Sequence, residues 1–332
     1  MSRAYYRPIV QCDVARPADA LMLAGGWGWF THVEVLRRAI DPEVISAHEL
    51  PSDAHVLLTQ SRPRYAERPR IMGIVNTTPD SFSDGGLHAA AHDAIAGGLA
   101  MAKAGADILD IGGESTRPGA KTVDVAEEIK RTQPVIAGLR AQGFAGVISV
   151  DTRKADVARA ALGAGANLIN DVSGFTYDPA LAGVAADAEV PVCVMHGPVD
   201  PEVMQKDPRY GDVLLDVFDF LETSIAALEL QGIPRSRIIA DPGIGFGKTM
   251  DHNLALLTRL SLFHSLGVPI LLGASRKRFI GTIGGAPEAA DRAPGSIAVA
   301  LAGVAQGVQI VRVHDVAQTA QAIALWRASM AL

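Results

Sequence analysis

"KAGADILDIGG", residues 103–113, and "GAGANLINDVSG", residues 163–174, share one pattern. Small residues and a glycine lead into an apolar run of strand length, which ends on an acidic residue and a second glycine. The run is apolar throughout rather than alternating, so both of its faces are covered, as in a parallel sheet. Weaker forms of the unit recur on either side. Strand-like runs fall at 71–76, 107–111, 147–151, 167–171, 190–195, 237–241, 268–273 and 309–313. Between them lie Ala/Leu-rich stretches of helical periodicity, among them 91–105, 125–143, 154–166 and 211–232. Eight strands, each followed by a helix, over a length close to the roughly 250 residues of the type, predict a closed (β/α)8 TIM barrel. The alternative is a doubly wound open sheet, which normally carries a Gly-rich dinucleotide turn after its first strand. No such turn follows "IMGIVN" at 71–76.

Composition narrows the class. Of 332 residues, 36 are acidic and 30 basic, and the net charge of −6 comes without a Lys/Arg block, which argues against nucleic acid or an anionic membrane surface as partner. Cys12 and Cys193 match no metal or redox spacing, and Cys193 sits inside "VPVCVM" as a small core residue. No apolar stretch approaches the roughly 18 residues of a membrane span. A reducing, cytoplasmic setting is expected. The barrel occupies 67–332, leaving residues 1–66 as an N-terminal extension of unknown role, either a small layer packed on the barrel or an arm for a partner.

In a barrel, catalytic groups stand at the C-terminal ends of the strands. Those ends read Asn76, Asp110, Asp151, Asn170 with Asp171, His196, Asp241, Ser275 with Lys277, and Arg312 with His314. A polar or charged group at all eight is more than solvation of strand ends would produce. "NTTPDSFSDGG", 76–86, is then a loop of the catalytic face. "DPGIGFGKT", 241–249, resembles a phosphate loop, but Pro242 stands where its first glycine is required. A carboxylate such as Asp241 facing the mouth is costly unless a ligand or cation pairs with it.

Seven motifs in order, "IVNTTPDSFSDGG", "ILDIGGESTRPGA", "ISVDT", "LINDVSG", "ADPGIGFGK", "LGASRKRFIG" and "IVRVHDV", resemble the dihydropteroate synthases of folate biosynthesis. The resemblance covers 71–332, with departures at Thr77, where members often have an aliphatic residue, and at "VMHGPVD" after the fifth strand. It implies condensation of 6-hydroxymethyl-7,8-dihydropterin pyrophosphate with p-aminobenzoate in the presence of Mg2+, by a homodimer, along an SN1-like path. It implies a pterin pocket of Asp151, Asn170, Asp241, Lys277, Met195 and Arg312. Pyrophosphate would meet Asn76, Arg312 and His314, with Asn76 also the metal ligand. The p-aminobenzoate pocket would take Thr116, Arg117, Pro118, Phe246, Ser275 and Lys277. Asp151, Lys277, Arg117 and Asp80 would carry the chemistry. Rival readings are a pterin-binding methyltransferase, a pterin-binding protein without catalysis, and a Schiff-base aldolase using Lys277. The "SFSDGG" and "ESTRPG" loops would be idle in the first, Asn76, Arg117 and Lys277 are all present against the second, and the arginines flanking Lys277 weaken the third.

Overall fold

A computed structural model of the chain describes residues 3–77, 87–115, 120, 122–197 and 208–331, the side chains of 87–89 excepted. The N-terminal strands are β1 (Tyr5–Pro8), β2 (Leu21–Met22), β3 (Trp29–Phe30), β4 (His32–Arg37) and β5 (Ile40–Ser46), followed by α1 (Ser52–Thr59). From there strands and helices alternate: β6 (Arg70–Asn76), α2 (Leu87–Lys103), β7 (Ile108–Gly112), α3 (Val125–Ala141), β8 (Val147–Asp151), α4 (Ala155–Gly163), β9 (Leu168–Asp171) and α5 (Leu181–Asp187). The second half runs β10 (Val192–Met195), α6 (Val213–Leu230), β11 (Ile238–Asp241), α7 (Met250–Thr258), β12 (Leu271–Leu272), α8 (Arg278–Gly284), α9 (Ala293–Ala305), β13 (Ile310–Val313) and α10 (Val316–Ser329).

The eight strands β6 to β13 pair in parallel in the order β11-β10-β9-β8-β7-β6-β13-β12. A parallel bridge between Ala240 and Ile270, with Ala240 N–H donating to Pro269 O at 2.9 Å, joins the two ends. The predicted TIM barrel is therefore closed. β12 is shorter than the run 268–273 promised: Ile270 meets Ala240 only as an isolated bridge, and the regular strand is Leu271–Leu272, after a 3-10 helix over Leu260–Leu266 and the left-handed Gly267 (φ 73). Two helices, not one, follow β12.

The repeat has a structural meaning. Gly105 and Gly165 adopt φ of 110 and 111, a region that favours glycine, and each turns a helix end into the next strand. Asp107 and Asn167, at matching places, then accept the backbone N–H of Ile71 (2.9 Å) and Ile148 (2.8 Å) on the preceding strand. Gln309 does the same for Ile270 at 2.8 Å. These side chains join neighbouring strands at the lower rim.

Inside the barrel, side chains stack in layers two residues apart along each strand. The lowest is apolar: Met72, Ile108, Leu168, Cys193, Ile239, Leu271 and Ile310, with Tyr65 against it. The residues between these and the next inward positions, such as Leu109, Ile148, Ile169, Val194 and Val311, join the large core beneath the helices.

The segment 3–66 packs on the outside of this barrel. Its β1-β4-β5 antiparallel sheet and a core of Leu23, Phe30, Val33, Ala47 and Leu58 lie against the 3-10 helix and α9. Ser261 Oγ donates to Pro8 O (2.8 Å) and Trp27 Nε1 to Val304 O (2.9 Å). Arg62, buried, donates to His264 O at 2.8 Å and contacts its Nδ1 at 3.1 Å. Among the described residues no helix is long and apolar enough to cross a membrane.

Candidate active site

Two residues above the apolar layer, the same inward positions become polar: Asp110, Asn170, Asp241 and Arg312, beside Met195 and Gly273. One step higher Asp151 crowns β8. Arg312 reaches across the barrel, Nε donating to Asp110 Oδ2 at 2.6 Å and Nη2 to Asp151 Oδ2 at 2.7 Å. Asn170 Nδ2 donates to the same Asp110 oxygen at 3.2 Å. The other oxygens, Asp110 Oδ1 and Asp151 Oδ1, are buried without a hydrogen-bond partner among the described residues, as is Ser149 Oγ. Buried polar atoms are rarely left so, and orphans at a barrel mouth mark where a ligand's donors belong. Burial pushes the Asp151 carboxyl up; Arg312 opposes the rise and the Asp110 charge adds to it. Burial sets the direction, and one guanidinium shared between two carboxylates does not reverse it.

Asp241 stands opposite. Its Oδ1 accepts from Gly243 N at 2.7 Å. Burial lifts its pKa to about 6, against the Gly243 N–H and the charges of Arg312, Lys277 and Lys248. Lys277 Nζ lies 3.8 Å over the Phe246 ring, a cation–π contact that puts both on one wall. A side chain at Gly245 would collide with Lys277, its Cβ only 2.8 Å from Cδ. Lys277 is held in place from behind: Arg276 adopts φ 57, donates its N–H to Ser296 Oγ (2.8 Å) and pairs with Asp315 (3.0 Å). Ser275 Oγ meets His314 Nδ1 at 3.0 Å and accepts from His314 N at 3.2 Å, so these two form one unit on the far wall. Asn76 is exposed at the end of β6. Met195 is buried beneath the mouth.

The structure brings Asp151, Asn170, Met195, Asp241, Phe246, Ser275, Lys277, Arg312 and His314 to one end of the barrel, while Asp80, Thr116, Arg117 and Pro118 lie outside the described residues. Two of the strand-end groups turn away. Asp171 accepts from Ser173 N (2.7 Å), Ser173 Oγ (2.9 Å) and Phe175 N (2.6 Å), closing its own loop. His196 turns to Lys248, 2.9 Å away. Arg312, expected over pyrophosphate as well as pterin, has two nitrogens committed to Asp110 and Asp151. Asp315, next to the Arg312–His314 pair in sequence, is taken instead by Arg276. Asp151 does not cap α4, whose first N–H, at Ala155, is met by Asp178 (2.8 Å).

The side chain that sequence reading left without a role is Asp110. The repeat contained the signal, since Asp110 and Asn170 occupy the same place in its two copies and meet in the fold.

Where β7 leaves the barrel, a buried ion network surrounds Glu114. Arg153 Nε donates to it at 2.9 Å and Lys154 Nζ at 2.7 Å. Lys154 also reaches Glu128 (2.6 Å) and Val123 O (2.6 Å), and Val123 N returns to Glu114 at 2.7 Å. Burial by itself would raise Glu114, but Lys154, the Val123 N–H and Arg153 together bring it below its ordinary value. Glu114 and Val123 are thus fastened to each other and to the turn after β8.

A closed parallel barrel with carboxylates, an amide and a guanidinium converging at the C-terminal ends of its strands is an enzyme of the barrel class, shaped for a small ligand with a polar edge. The pattern of the pterin binding enzyme family matches residues 72–314. The dihydropteroate synthase of Synechocystis sp. is 45% identical over 267 residues, covering 79% of this chain and 92% of that one. A Xanthomonas albilineans dihydropteroate synthase with 4-aminobenzoic acid superposes at a TM-score of 0.75 with 49% identity, covering 80% of this chain and 94% of that one. The Yersinia pestis enzyme in complex with a sulfonamide drug gives 0.75 and 43%, covering 80% and 95%. The chain belongs to the dihydropteroate synthases of the pterin binding enzyme family.

Proposed function

We propose that the polar layer of the mouth binds a dihydropterin by its flat edge, and that the Phe246–Lys277 wall receives the arylamine. The product is 7,8-dihydropteroate, made from 6-hydroxymethyl-7,8-dihydropterin pyrophosphate and p-aminobenzoate. The observation that carries this is the pair of orphaned carboxylate oxygens on Asp110 and Asp151, in a barrel whose strand ends also hold Asp241. A pterin offers an exocyclic amine beside a ring N–H, and a carboxylate accepts two parallel hydrogen bonds from such an edge. Asp241 takes that edge, Asn170 and Asp151 the remaining polar positions, Lys277 the carbonyl and N5 side, and Met195 lies under the ring.

p-Aminobenzoate is a neutral nucleophile at pH 7, so no general base is required. The demanding step is loss of pyrophosphate, and the electron-rich dihydropterin delocalises the resulting positive charge, along an SN1-like path. Asp151, fixed by Arg312, faces that charge from a buried position, where its field is less screened than it would be in water. Arg312, and His314 held by Ser275, offer positive charge and a hydrogen bond on the side where pyrophosphate departs. Asn76 presents one neutral oxygen, which fits a Mg2+ that retains water and phosphate oxygens in the rest of its shell. Bound there, the ion would offset charge on the leaving group. Arg117 and Asp80 would act from the two loops, with Thr116 and Pro118 over the arylamine. The family likeness further supports a cytoplasmic homodimer, which light scattering of the purified protein checks in part.

The test supplies pterin pyrophosphate, p-aminobenzoate and Mg2+ and follows dihydropteroate. Sulfonamides, which mimic the arylamine acid, should inhibit competitively with p-aminobenzoate. No formation of dihydropteroate overturns the reading, and inhibition insensitive to p-aminobenzoate removes the arylamine from the Phe246–Lys277 wall.

A further inference from the structure

"GFGKT", 245–249, looks like the end of a phosphate loop, yet Lys248 points away from solvent and is 3% exposed. Its Nζ lies 2.9 Å from His196 Nδ1, 2.9 Å from Gly243 O and 3.0 Å from Phe246 O, with His196 O at 3.3 Å. No carboxylate comes within ion-pair distance of it among the described residues. Burial brings the Lys248 pKa down to about 7, with the Asp241 charge opposing the fall. The carbonyls and the imidazole take the three donors of the ammonium form and so favour it; these are the surroundings a bound monovalent cation would have. His196, whose pKa burial and then Lys248 press down to about 3, is neutral and accepts.

We propose that Lys248 is a positioning residue, acting as a built-in cation that clamps the turn after β11 to the turn after β10 and thereby sets the pterin and arylamine walls. The proposal rests on the dihydropteroate synthase reading. Each group Lys248 holds leads one step into the site. Gly243, whose carbonyl it takes, gives its own N–H to Asp241 Oδ1. Phe246, whose carbonyl it also takes, carries the ring beneath Lys277. His196 packs edge-on to Phe220 at 4.8 Å, and its carbonyl would lie 1.9 Å from a Cβ at Gly243, so the two turns are in direct contact. Take the ammonium away and three carbonyl dipoles and an imidazole converge on a dry space, Gly243 O retaining the Phe246 N–H at 3.2 Å. The turn then relaxes, carrying Gly243 off Asp241 and Phe246 off Lys277. Lys248 itself lies behind the turn and meets no substrate.

Lys248→Met keeps the stem and removes the charge. In the full chain, thermal melting and circular dichroism establish that the ligand-free variant is folded. Calorimetry with a pterin and steady-state kinetics then read the site. The expected result is pterin Kd weaker by about tenfold, p-aminobenzoate KM raised by a similar factor, and kcat at saturation within about threefold. His196→Asn, which retains an acceptor for the ammonium, should bind pterin as the wild type does, whereas His196→Leu should lose affinity like Lys248→Met. The His196 pair keeps the test open if Lys248→Met does not fold. A folded Lys248→Met that binds pterin within twofold of wild type overturns the proposal, as do Asn and Leu behaving alike at 196. Failure of the wild-type protein itself to bind pterin would instead overturn the functional reading.

Discussion

Asp241 uses one carboxylate oxygen on Gly243 and turns the other toward Gly273, where even a Cβ would come within 3.4 Å. A side chain at 273 would begin in contact with that oxygen. Asp241→Ala should weaken pterin binding by about 2–4 kcal/mol, the loss of a charge-assisted pair with the ligand's donors left unpaired; calorimetry within threefold of wild type would remove Asp241 from the site. The same side chain sets a pH dependence. Only the carboxylate accepts both donors, and burial raises its pKa to about 6. Pterin affinity should therefore be flat above that value and fall as pH drops, by about tenfold per unit well below it. The sign for the empty protein is opposite. With a folded-state value above the ordinary 3.8, Asp241 makes the protein less stable as pH rises from about 4 to about 6. A ligand that donates to it offsets that cost. Titrations of binding and of melting temperature over pH 4.5–8 should slope in opposite directions, and parallel slopes would assign the effect to another group.

Among the elements, the turns after β7 and β8 depend most on a single group. Lys154 lies between Glu114 and Glu128, all three at most 6% exposed in their side chains. Lys154→Met leaves two buried carboxylates without their shared cation, and removing one partner of such a network costs about 3–5 kcal/mol. Denaturant unfolding should report this loss, and adding Glu128→Gln should recover part of it. Additive effects of the two changes would mean the residues act independently. The strands show why the site needs so little sequence. A period of two raises each inward chain from the apolar layer to the polar one, Ile108 to Asp110, Leu168 to Asn170, Ile239 to Asp241 and Ile310 to Arg312. Each of these strands needs a single polar replacement to build one floor of the pocket.

At the scale of the molecule, the N-terminal layer is tied to the barrel by Trp27, Arg62 and Ser261, away from the mouth. Arg62 is buried against His264 and backbone carbonyls, with no carboxylate in ion-pair distance among the described residues, and burial lowers its pKa to about 9. Trp27→Ala should cost stability by about 3–5 kcal/mol and leave the KM values of the folded protein unchanged; a KM shift in the folded variant would show that the layer shapes the site. The eight-strand order and the polar strand ends were legible in the sequence, because continuous apolar runs, helix-ending glycines and polar strand ends are local properties of a chain. Asp241, Asn170 and Lys277 could be assigned from that pattern together with the family resemblance. What it could not contain is which of those polar ends meet. Arg312 is 202 residues from Asp110 and 161 from Asp151, and the guanidinium reaches both only because β13 lies beside β6 in a closed ring. For the same reason Lys248, in a stretch that only resembles a phosphate loop, is buried against His196 of the turn after β10. Nor does apolar continuity say which face of a strand looks inward, since both are covered. The sequence by itself determined the elements and their order; closure of the barrel alone decided which side chains share a charge and which turn away, because that depends on distances no local pattern encodes.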